Sequence, residues 1–160
     1  MQTCASVFYS AESDSTEVGQ DATRSLTQIF GSTPLRAVLV FATMDHDHTA
    51  LLDAMRTGLP RETVLLGCSS QGVVGNGELS EYGMVMGAMG FGGDALRIAA
   101  ASEREIQVNT SEKGFTLSKK LKDDLGDEPG VVLLFYDPLS GIDVESLIAG
   151  TRRCLSCPVV

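Results

Sequence analysis

Positive charge is scarce in this chain: 12 Lys and Arg face 21 Asp and Glu over 160 residues, for a formal charge of −9. Gripping a phosphate backbone takes clustered Lys and Arg, so the balance excludes a nucleic-acid groove. The one basic cluster in mid-chain, Lys119, Lys120 and Lys122, runs straight into Asp123 and Asp124 and reads as a solvated helix face. Long apolar runs are missing too, with nothing near the ~18 residues needed to cross a bilayer. The amino end, Met1-Gln2-Thr3-Cys4, lacks the positive and apolar segments of a secretory signal. Four cysteines without an export signal point to free thiols in a reducing compartment. A cytoplasmic protein is expected.

Other absences restrict the chemistry. Histidine occurs only twice, in Asp45-His46-Asp47-His48. No Lys follows a Gly, so there is no Walker A loop, and Gly72-Val-Val-Gly-Asn-Gly77-Glu78 resembles a phosphate loop only superficially. Cys154-Leu-Ser-Cys157 has no second Cys-x-x-Cys to complete a zinc ribbon. It also closes a helix, where redox motifs open one. The esterase elbow needs glycine at position 71, which is Gln71.

What is present alternates strand and helix in the order β-α-β-α-β-β-β-α-β-α-β. Residues 4–9 and 35–41 read as strands, the second apolar and β-branched enough for the interior of a sheet. Asp14 with Glu17 has capping-box spacing, and Val18, Ala22, Leu26, Ile29 and Phe30 form a helical stripe ended by Gly31. Leu51, Leu52, Met55 and Leu59 form a second. Residues 63–66 are a third strand, residues 71–81 a loop, and residues 82–91 and 95–101 a hairpin around Gly92-Gly93-Asp94. A helix with Leu117, Leu121 and Leu125 ends at Gly126. Residues 131–136 carry the strongest buried-strand signal. Asp143 caps a last helix whose Val144, Leu147, Ile148 and Leu155 face inward, and residues 157–160 begin another strand. The expected fold is α/β, with helices packed on a mixed, mainly parallel sheet plus an antiparallel hairpin. No internal repeat or linker is visible. The chain reads as a single domain, 1–160, cut at its carboxyl end because it stops inside an apolar strand.

Four places offer chemistry. Gly67-Cys68-Ser69-Ser70-Gln71-Gly72 follows a strand directly, where open α/β sheets hold their ligands; small residues and hydroxyls there suit either a ligand floor or a tight strand exit. Cys68 with His46 or His48 as base would make a nucleophilic enzyme. The Asp45–His48 segment fits a helix cap or a metal box. Asp137 leaves the strand 131–136 beside Ser140 and Gly141, fit to bind an amine or to form an Asp-Pro turn.

The stretch from Thr63 to Phe91 resembles the amino-terminal part of the FIST domain family, sensory proteins of intracellular signal transduction. Val64-Leu-Leu-Gly-Cys-Ser-Ser-Gln-Gly-Val-Val74 is similar to the family's strand followed by Gly-Cys-Ser/Thr-Thr-Ala-Gly-Glu-Ile. Gln71 replaces a small residue and Val73 stands where the family often has Glu. Glu78, the strand Met84–Phe91, the strand Leu35–Thr43 with its Asp/His-rich sequel, and Val131–Tyr136 with Asp137 and Gly141 also fit, as does Cys157-Pro-Val-Val160. The resemblance implies a non-catalytic sensory domain that binds a small polar ligand, an amino acid among the candidates. Gly67, Cys68, Ser69, Ser70 and Gly72 would form the floor, and Glu78 and Asp137 would offer charge to an amine. It implies as partners a carboxy-terminal FIST domain in the same full-length chain and a downstream signalling protein, with no cofactor, no metal, no nucleic acid and no membrane.

Overall fold

The computed structural model describes residues 3–75 and 77–160. The chain forms two compact units, Met1–Ile98 and Ala99–Val160.

The first unit contains β1 (Thr3–Ser10), α1 (Ser15–Phe30), β2 (Leu35–Thr43), α2 (His48–Gly58), β3 (Val64–Ser70), β4 (Val73–Gly75), β5 (Glu78–Ser80) and β6 (Met86–Gly93). Asp14 starts α1 by accepting the N–H groups of Thr16 and Glu17, which otherwise have no partner in a first helical turn. The stripe Val18, Ala22, Leu26 and Phe30 is buried, while Ile29 points out at 59% exposure. Asp47 caps α2 in the same manner through Thr49 and Ala50. The two helices lie so close that a Cβ on Gly19 would sit 2.7 Å from the carbonyl oxygen of Leu51. Together they cover one face of a four-stranded sheet of order β1-β6-β2-β3. Their buried side chains join Val38, Val40, Ala42, Met86 and Ala88 in one core.

The sheet is mixed. β2 and β3 are parallel, and β6 runs antiparallel to both of its neighbours, β1 and β2. The expected hairpin of residues 82–91 with 95–101 does not form. β6 lies inside the sheet with both edges taken, so Ala95–Ala101 has no free edge of β6 to pair with and forms no strand. The antiparallel hairpin occurs instead within the expected loop, as β4 and β5, with Val74 facing Leu79.

The second unit contains α3 (Thr110–Leu125), a short 3-10 turn (Pro138–Ser140) and α4 (Val144–Arg152). Gly126, at φ +70°, ends α3, and Asp143 caps α4 through the N–H of Ser146. Residues 131–136 differ from expectation. Among the described residues they pair with residues 158–160, through one parallel bridge, Val132 to Val159. Hydrogen bonds from the Val132 N–H to Pro158 and from the Leu134 N–H to Val160 flank it. Val132 is buried, but Val131 and Leu133 are 54% and 47% exposed, so this is a one-sided strand and not an interior one.

The two units share a plan that the sequence does not reveal as a repeat. Each has a long helix ended by glycine, an extended segment, a helix capped by aspartate, and a second extended segment parallel to the first. Gly114 holds the place in α3 that Gly19 holds in α1. A Cβ on Gly114 would lie 2.5 Å from the carbonyl oxygen of Leu147, the counterpart of Leu51.

Candidate functional site

The carboxyl ends of β2 and β3 lie side by side, with Phe41 opposite Cys68, Ala42 opposite Ser69 and Thr43 opposite Ser70. The motif Gly67–Ser70 is thus the last stretch of β3 itself. Gly67, Cys68 and Ser69 are exposed along an edge of the sheet. A Cβ on Gly67 would collide with the backbone of Val40, and one on Gly72 would come within 2.7 Å of the Ser80 carbonyl oxygen. Close backbone approach therefore accounts for both glycines. Ser70 is different: its hydroxyl oxygen is buried and has no hydrogen-bond partner among the described residues.

Thr43 anchors the end of β2. Its hydroxyl donates to the carbonyl of Gly83 and accepts the N–H of Val85. Three residues on, His46 is 5% exposed, and its N–H donates to the Thr43 carbonyl. The Nδ1 atom lies 3.0 Å from the hydroxyl oxygen of Ser15, the first residue of α1. That oxygen also accepts the N–H of Asp47 at 3.0 Å. The Ser15 oxygen keeps a second lone pair beside the one the amide uses, so it pairs with Nδ1 in either tautomer of the neutral ring. Nε2 is buried and, like the Ser70 hydroxyl, has no partner among the described residues. Burial, and then the neighbouring His48, hold the His46 pKa below its ordinary value, with Asp45 pulling the other way. The His48 Nε2 atom is 3.0 Å from the Thr43 carbonyl.

These positions bear on the alternatives raised by the sequence. Asp47 is a helix cap, and among the described residues no group of three or more His, Cys, Asp or Glu side chains is arranged to hold a metal ion. Although Cys68 is exposed, partial burial of its thiol pushes the pKa up, away from the thiolate that a nucleophile requires. Both candidate bases already have ring contacts. Glu78 is exposed at the start of β5. Asp137, in the second unit, caps the 3-10 turn by accepting the N–H of Leu139 at 2.9 Å, so it adopts the Asp-Pro turn. Cys154 and Cys157 follow α4 as free thiols.

An open groove of about 710 Å³ between α1 and α2 is lined by polar side chains such as Thr16, Gln20, Arg24, Asp53 and Thr57. It lies along the helices and includes none of the strand-end residues. The contribution of Ser15 escapes sequence reasoning, because a serine after a capping aspartate looks like ordinary helix-start chemistry. No helix is long and apolar enough to cross a membrane among the described residues.

No curated protein and no solved structure matches the chain. A protein-family comparison does: the FIST N domain matches residues 36–160, from β2 through both strand-end motifs to Val160. With most of its length matched, the chain belongs to the FIST N domain family, a family of sensory domains in signal transduction.

Proposed function

We propose that this domain senses a small polar metabolite, with amino acids the first candidates, bound at the carboxyl ends of β2 and β3. The observation that carries the reading is the pair of buried, unpartnered polar atoms there, the Ser70 hydroxyl and His46 Nε2. Buried polar groups are nearly always hydrogen-bonded. Two exceptions beside the end of one parallel strand pair leave a hydroxyl and an imidazole nitrogen for a ligand. In this reading Gly67, Cys68, Ser69, Ser70 and Gly72 form the floor, while Glu78 offers a carboxylate to an amine. Occupancy would be passed to a carboxy-terminal FIST domain and a downstream partner, in the cytoplasm.

Thermal-shift measurements on the full chain against the twenty amino acids and a panel of small polar metabolites test it. A ligand that binds only the folded state stabilises it by about 2.7 kcal/mol at a hundredfold excess over Kd. Saturable stabilisation that Ser70→Ala weakens is expected. A panel with no saturable hit, or a hit indifferent to Ser70→Ala, overturns the proposed site.

A further inference from the structure

The turn between β2 and α2 buries a histidine where the shared plan of the two units does not need one. In the second unit the residue ahead of the capping Asp143 is Ile142, so an apolar side chain serves the equivalent corner. In the first unit that place is taken by His46, whose Nε2 is buried without a partner among the described residues. Its Nδ1 meets the Ser15 hydroxyl, which in turn holds the N–H of Asp47. Two pieces of chain 31 residues apart in sequence thus meet through one imidazole and one hydroxyl: the start of α1, and the β2–α2 turn with the cap of α2. An unpaired buried polar group costs stability, and a fold that keeps one has a titratable group at a joint.

We propose that His46 is a proton-operated latch, which ties the start of α1 to the β2–α2 turn at neutral pH and releases it in mild acid. The neutral ring pairs with the Ser15 hydroxyl through Nδ1. Once protonated, both ring nitrogens carry hydrogens, and only the Nδ1–H meets an acceptor, the Ser15 oxygen. A positive charge then sits in a buried corner with its Nε2–H unpaired among the described residues. The charged groups around it do little to hold that charge in place. His48 opposes it, and Asp45, which favours it, is exposed. The Asp47 carboxylate is occupied by the N–H groups of Thr49 and Ala50. On α1, Asp14 is occupied by Thr16 and Glu17, and Glu17 is exposed. β1, the end of β2 and residues 83–85 bring no charged side chain. The relaxed arrangement is the ring turned out towards water and Asp45, with the joint opened.

Opening takes up one proton in the pH window between the lowered value of the folded state and the ordinary histidine value of 6.5. In that window the open population rises by up to about tenfold per pH unit. The latch concerns the joint alone and stands whether or not the strand ends bind a metabolite.

Nuclear magnetic resonance of the full chain tests it with two readouts. The first is the titration of the His46 ring in the wild-type protein. The second is hydrogen exchange of the Asp47 and Val18 amides between pH 7 and 5, corrected for intrinsic rates, in wild type, His46→Ile and His46→Gln. The proposal expects a ring that titrates below 6.5 and protection that falls with pH in wild type but stays level in the variants. A ring titrating at or above 6.5, level protection in wild type, or an equal fall in the variants overturns it. The ring titration and the exchange of the wild-type amides together decide the matter even if both variants fail to fold.

Discussion

Gly67→Ala separates the two readings of the motif at the end of β3. If glycine is there for a ligand, alanine leaves the empty protein about as stable as before. If it is there for β2, the new methyl group must displace backbone, because its Cβ falls on the carbonyl of Val40. A carbonyl inside a parallel strand pair cannot rotate away as a side-chain tip would. Overpacking of this kind costs about 1–3 kcal/mol, and a clash with backbone belongs at the upper end. Alanine also stiffens the unfolded chain, which returns about 0.4–1 kcal/mol. A net loss of about 2 kcal/mol remains. With a urea slope of about 2 kcal/mol/M, the unfolding midpoint should fall by about 1 M. Ser69→Ala, at an exposed neighbour, should stay within about 0.5 kcal/mol of wild type. Equal midpoints for Gly67→Ala and wild type would refute the steric account and return the glycine to the ligand.

Other perturbations test the same physical picture. Gly19→Ala and Gly114→Ala should each destabilise their own unit by about 1–3 kcal/mol, since each added Cβ meets a carbonyl of the facing helix; urea unfolding that leaves either variant unchanged contradicts the shared plan. Asp47→Ala removes an acceptor of two helix N–H groups and should cost about 1 kcal/mol, read as a lower thermal midpoint; an unaltered midpoint would show that water replaces the cap at no loss. Stability should also fall as pH drops below 6.5, because the unfolded chain binds the His46 proton more readily than the folded one. The contribution is complete above 6.5 and disappears as pH falls through the lower folded value. In His46→Ile this component of the acid profile should vanish. Iodoacetamide should label Cys68 slowly at pH 7 and speed up only above the ordinary thiol range, given the upward push of burial; rapid labelling at pH 7 would restore the case for a nucleophile.

Much of the fold was legible where local and long-range signals agree. α1, α2 and α4 each combine an aspartate cap with an apolar stripe, and β2 is apolar at every step but Arg36 and Thr43. The misreadings have a common cause, which is that a strand's neighbours are not written in the strand. Val131–Tyr136 would look the same buried on both faces or on one, and only its pairing with residues 158–160 decides. Gly92 and Gly93 read as part of a hairpin turn. Gly92 lies within the strand instead, where Phe30 presses on it, and a Cβ there would lie 2.5 Å from the Phe30 ring. At the candidate site, the strand exit and the small residues were visible in the sequence, including Ser70. The partner of His46 was not, since Ser15 lies in another helix and reaches the ring only in the folded state.

The boundary of the family match has a practical meaning in light of the core. The matched segment begins at residue 36, inside β2, and so leaves out β1 and α1. Yet α1 supplies Val18, Ala22, Leu26 and Phe30 to the core, and β1 occupies one edge of β6. A chain begun at residue 36 would expose that edge, strip one helix from the sheet and leave His46 without Ser15. The segment matched by the family and the segment that folds are different objects. Truncations for expression, and sequence comparisons meant to trace function, should therefore start from β1.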